Sequence, residues 1–152
     1  MRLIAALLVF ALGLALAPSS AAAESTSLSA SASRVSTQVV ALISDYEERY
    51  GPRVSSTDRA TLRTIERNTR REMNTLVRLV REAERTKRPS AWTRAYEQFL
   101  DIEAASNARL DEMRDIIEPK MSWTEKLGAV SPARSIQRDM ESLGSQLKRR
   151  AR

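Results

Sequence analysis

Two helix-length stretches of apolar spacing, divided by one tight break, constrain this chain more than any other feature. Leu62, Ile65, Met73, Leu76 and Val80 recur at intervals that stack on one side of a 3.6-residue helix. Phe99, Ile102, Met113, Ile116 and Ile117 do the same further along. Between them stands Arg88-Pro89-Ser90, whose proline cannot continue the preceding helix. Ser55-Ser56-Thr57-Asp58 offers capping hydroxyls and an early acid for a helix that runs to about Lys87. Its successor runs from about Ala91 to Glu118 and is closed by Pro119. Each is about 28–30 residues, or roughly 42–45 Å long. So short a break forces the two antiparallel. Leu62 then faces Ile116 and Ile117, Ile65 faces Met113, Leu76 faces Ile102, and Val80 faces Phe99. Apolar meets apolar along the whole hairpin.

Few other breaks are available, because the 152 residues include only 4 glycines and 5 prolines. A first helix is expected from about Arg34 to Tyr50, with Val35, Val39, Leu42 and Tyr46 on one face and Gly51-Pro52 at its end. Counted back from that turn, it reaches only the level of Met73. Residues 24–33 read as a flexible Ser/Ala-rich lead. Beyond Pro119, Ser122-Trp123-Thr124-Glu125 is a capping box that opens a short helical turn carrying Trp123, Leu127 and Val130. Ser131-Pro132 then restarts the chain, and Ile136, Met140, Leu143 and Leu147 form a last apolar stripe. No segment alternates like a strand. The expected fold is all-α, a long antiparallel helical hairpin with two shorter helices packed on it. That is a three- to four-helix bundle forming one domain over residues 34–152.

The beginning of the chain reads as an export signal. Arg2 gives a positive start, Leu3 to Ala17 is apolar, Pro18-Ser19-Ser20 breaks the run, and Ala21-Ala22-Ala23 suits a signal peptidase. The run is shorter than the roughly 20 residues that span a bilayer, so residues 1–23 are expected to be cleaved before Glu24. The mature chain is then expected to be periplasmic or secreted, with no transmembrane span. Its lack of cysteine rules out disulfides in a compartment that would permit them.

Histidine is absent as well as cysteine. Without them the commonest zinc, copper and haem ligands are missing, and Ser-His or Cys-His nucleophilic pairs cannot form. No glycines cluster into a phosphate-cradling loop. No metal, cofactor or catalytic residue is expected. One enzyme type needs none of these groups: the secreted, all-helical chorismate mutase, which resembles this chain only in general class, with no motif matched residue by residue.

Charge is the clearest remaining pattern. Arg59, Arg63, Arg67, Arg70, Arg78, Arg81, Arg85 and Arg88 fall on one side of the second helix, away from its apolar stripe. Residues 54–88 hold 10 bases and 5 acids, whereas residues 89–121 hold 4 bases and 7 acids. Like charges four apart, such as Arg81 and Arg85, cost roughly 0.2–0.5 kcal/mol in an isolated helix. The face is therefore either a solvated one, edged by acids of the next helix, or a site for an anionic lipid, lipopolysaccharide, a polyanionic polymer or an acidic partner. No aromatic residues interleave with the arginines, which argues against nucleic acid. The basic tail Lys148-Arg149-Arg150-Ala151-Arg152 complements a helix dipole by itself.

Two further groupings follow from the hairpin. Leu76, Leu79, Val80, Trp92, Tyr96 and Phe99 gather at its tip, beyond the expected reach of the first helix. They form an apolar groove for a protein partner, unless the last helix or a homodimer mate covers them. Glu72 and Arg109 interrupt the two apolar arcs at matching levels and are expected to pair as a structural ion bridge. The reading these features support is a non-enzymatic exported bundle that binds another envelope or secreted protein as an adaptor, chaperone-like protein or inhibitor. The alternative is binding of an anionic lipid or polymer through the arginine face, and a third is a small metal-free enzyme of the chorismate mutase type.

Overall fold

A computed structural model describes residues 27–152. The segment read as a signal peptide and the start of the Ser/Ala lead lie outside the described residues. Four α-helices follow one another: α1 Leu28–Tyr50, α2 Ser56–Thr86, α3 Pro89–Ile117 and α4 Trp123–Arg150. Single 3₁₀ turns at Gly51–Arg53 and Glu118–Lys120 link the first pair and the last pair. Successive helices run antiparallel, and α4 closes the square by packing between α3 and α1.

The hairpin of α2 and α3 has the expected register. Leu62, Ile65, Met113 and Ile117 share one apolar cluster with Ile43 and Tyr50. Leu76, Val80, Phe99 and Ile102 share the other with Ala32, Val35, Leu143 and Leu147. The break is tighter than expected. Thr86 ends α2, Lys87 turns the chain in the left-handed region (φ 55°), and Pro89 already stands in the first turn of α3. Pro fits there because its missing N–H would have had no helical partner.

Three features differ from the expectation, each for a physical reason. First, α1 begins six residues earlier than Arg34, at Leu28. Ser27 caps it by accepting from the Ala30 N–H at 3.1 Å, and the Ser29 N–H donates to Glu84 of α2 at 3.2 Å. The lead is therefore helical from Leu28 on, not flexible. Its small residues let the two backbones approach, and Ser31, Ala32 and Ser36 are buried against the neighbouring helices.

Second, the extended α1 removes the expected groove. Leu76, Val80, Trp92 and Phe99 are buried, and Leu79 and Tyr96 are half-buried against the same cluster. Leu28 joins that cluster from α1, and Leu143 and Leu147 join it from α4. Third, Ser131-Pro132 does not restart the chain, since α4 runs unbroken through Pro132. The proline ring opposes the carbonyl four residues back, at Gly128, where no side chain crowds the site. A Cβ there would meet nothing within 4 Å.

The capping box at the start of α4 forms fully. Ser122 Oγ accepts from the Glu125 N–H at 3.3 Å, and Glu125 accepts from the Ser122 N–H at 2.7 Å. Those bonds, with help from Arg53, lower the Glu125 pKa to about 2. Among the described residues, no helix is long and apolar enough to cross a membrane.

A basic end of the bundle

The arginine face is split in two by what lies beside it. Along the first half of α2, α1 supplies acids. Glu47 of α1 accepts from Arg59 at 3.1 Å and from Arg63 at 3.0 Å, so two arginines four apart share one carboxylate. The Arg59 hydrogen bond holds the Glu47 carboxyl below its usual range, and Arg63 adds to it. Arg70 bonds Glu66 at 2.7 Å, and Glu66 also accepts from Ser44 of α1 at 2.7 Å. Those two bonds, Ser44 first, lower the Glu66 pKa. Arg67 reaches only the Thr64 hydroxyl, at 3.3 Å.

Along the second half of α2 the neighbouring turns of α1 carry serine and alanine in place of acids. Arg81 meets a hydroxyl, Ser33 Oγ at 3.3 Å. Arg78, Arg85 and Arg88 are exposed and have no carboxylate partner among the described residues. The two nearby acids of α2 are already engaged, Glu82 with Arg94 at 2.9 Å and Glu84 with the Ser29 N–H.

Antiparallel topology now adds the tail. The last turn of α4 lies at the same end of the bundle as the last turn of α2 and the first turns of α1 and α3. Arg150 sits over the Trp92 ring at 5.7 Å from its centroid. A depression of about 890 Å³ opens there, lined by Ser27, Leu28, Glu84, Lys87, Trp92, Gln146, Arg149 and Arg150. Residues 81–94 and 146–152 together contribute nine Arg and Lys side chains against Glu82 and Glu84 alone. Lys87, held at positive φ, stands on the connecting turn. Such a position favours glycine, so a lysine there carries a backbone strain of about 1–2 kcal/mol.

The opposite end is balanced. Asp45 pairs with Arg49, Glu125 with Arg53, and Glu118 with Lys126. Charge is thus segregated along the bundle axis, although the α2 sequence by itself spreads arginine evenly over its length.

Glu72 and Arg109 are brought together at mid-bundle. Two hydrogen bonds of 2.6 and 2.7 Å make the pair bidentate, and both groups are half-buried. The Arg109 bond lowers the Glu72 pKa, and the same bond raises that of Arg109. Arg109 also borders an apolar cavity of about 80 Å³ under α4, bounded by Leu42, Met73, Ile102, Leu110 and Ile136 among others. That is well below the roughly 300–1,000 Å³ that holds a drug-sized ligand. Among the described residues, no three acids come together in a way that could hold a metal ion.

In the sequence the basic tail and the arginine face are separate features. The up-down order of four helices was the signal that would have joined them, because it sends the C-termini of α2 and α4 to one end. Comparison with protein-family models, curated proteins and solved structures finds no match to this chain.

Proposed function

We propose that this protein works outside the cytoplasm as a binding protein without catalytic activity, and that the basic end of the bundle is its anion-binding site. The observation that carries this reading is the collection of cations at one end, where the two nearby acids of α2, Glu82 and Glu84, are already bonded to other groups. Like charges held together without counterions repel one another, so an added polyanion gains both its own attraction and relief of that repulsion. Oxygen-rich groups of the phosphate type suit arginine, whose planar fork donates two hydrogen bonds at once. The protein-partner reading keeps an acidic surface as its partner at this end, since the apolar tip that would have received another chain is filled from within. The chorismate mutase reading gains no support: Arg109, on the wall of the mid-bundle cavity, is already held by Glu72.

The test is elution from phosphocellulose by salt. Arg85→Gln with Arg149→Gln should elute clearly earlier than the parent, because bound cations displace counterions and retention falls as salt rises. Arg67→Gln with Arg134→Gln removes the same charge elsewhere and should elute close to the parent. Equal shifts for the two pairs would reduce the effect to net charge and defeat the assignment.

A further inference from the structure

We propose that the basic end docks end-on to a bilayer of anionic phospholipid, with the helix axes upright and the Lys87 turn and last turn of α4 at the headgroups. This rests on the anion-binding reading above and goes beyond it in naming the ligand and the orientation. Two observations select a lipid surface over a linear polyanion.

The cations do not form a track. A long polymer binds along a continuous basic groove, but the arginine stripe of α2 is interrupted in its first half, where Glu47 and Glu66 hold Arg59, Arg63 and Arg70. What remains is a compact patch across the end of the bundle, about 20 Å wide for two helix diameters. A flat array of phosphates meets all of that patch at once.

The contact is one of charge. Among the described residues, the large apolar side chains that are well exposed, Leu100, Trp123 and Leu127, lie away from this end, so none of them inserts into the hydrocarbon there. Trp92 is largely covered, with Arg150 above its ring, and the pair stands at the depth of the headgroups.

The two tryptophans of the chain allow the orientation to be read directly. Trp92 stands in the first turn of α3 and Trp123 in the first turn of α4, at opposite ends of the bundle. The 25 residues from Trp92 to Ile117 place them roughly 40 Å apart at 1.5 Å per residue. Trp123→Phe leaves Trp92 alone without disturbing the core, and the difference from the parent reports Trp123. Each protein is mixed with phosphatidylglycerol vesicles, or with phosphatidylcholine vesicles, carrying a nitroxide quencher on the headgroup. The expected result is co-sedimentation with phosphatidylglycerol only, quenching of Trp92, and no quenching of Trp123. Each cation removed from a charged interface weakens partitioning roughly five-fold, about 1 kcal/mol. Arg85→Gln, Arg88→Gln and Arg149→Gln together should therefore lower it about a hundred-fold. Arg67→Gln, Lys120→Gln and Arg134→Gln, at the other end or on the flank, should leave it near the parent value.

Quenching of Trp123, or equal quenching of both, overturns the end-on orientation. Retention on phosphocellulose without any vesicle binding overturns lipid docking and leaves the anion-binding reading in place. Loss of both removes the two together.

Discussion

Gly128 and Gly144 lie on the same helix, α4, and the same substitution should have opposite effects at the two. A Cβ at Gly128 would meet nothing within 4 Å, whereas one at Gly144 would come within 2.6 Å of both Cε1 and Cζ of Phe99. Replacing a mid-helix glycine by alanine gains about 1 kcal/mol through backbone entropy. At Gly128 that gain is unopposed, so Gly128→Ala should raise stability by about 1 kcal/mol, or roughly 4 °C in Tm. At Gly144 the new methyl must displace a ring that is only 4% exposed and hemmed in by the core. Overpacking of this kind costs about 1–3 kcal/mol. Gly144→Ala should therefore be neutral to about 2 kcal/mol destabilising, and the gap between the two variants measures the clash itself. Urea unfolding followed by far-UV circular dichroism reads both numbers. In a Phe99→Leu background the ring tip is gone, and Gly144→Ala should recover much of its helix gain. If Gly144→Ala stabilises the parent as much as Gly128→Ala does, α4 does not lie against Phe99, and the packing of α4 on α3 is wrong.

Arg109→Ala strands Glu72 at a half-buried position, and with side-chain exposures of 20% and 24% the loss should be about 1–3 kcal/mol. Replacing both, Arg109→Met with Glu72→Leu, should cost much less in the same urea melts; an equal loss would mean that the pair is not coupled. Acid should destabilise the bundle. The pKa values of Glu47, Glu66 and Glu72 are all lowered from 4.5, and that of Glu125 falls to about 2. Carboxylates with a folded pKa below the unfolded value contribute stability that is complete above the unfolded value and is lost as pH falls through the folded ones. The urea midpoint should thus hold steady from pH 7 to about pH 5 and drop below about pH 4.5, with the Glu125 contribution lost progressively down to about pH 2. A midpoint unchanged at pH 3 would show that these contacts do not favour the charged form.

The sequence by itself determined the all-α class, the α2–α3 hairpin and its register. Those are decided by interactions local in the chain. Apolar spacing marks a face, Pro89 and the Ser122–Glu125 box mark boundaries, and a short break leaves antiparallel pairing as the only arrangement. The Glu72–Arg109 pair was legible for the same reason, because register alone sets two positions at one level. Tertiary structure decided the rest. Residues 28–33 have no distinctive pattern, since serine and alanine carry little apolar signal, yet their small size is what allows α1 to pack closely and continue to Leu28. That extension, with Leu143 and Leu147 of α4, buried the tip where the sequence suggested an open groove. The neutralisation of the arginine stripe was equally invisible, because Glu47 and Ser33 belong to another helix and meet α2 only through packing. Electrostatics acts through space, and so a stripe that is uniform along one helix became, once four helices were assembled, a charge concentrated at one end.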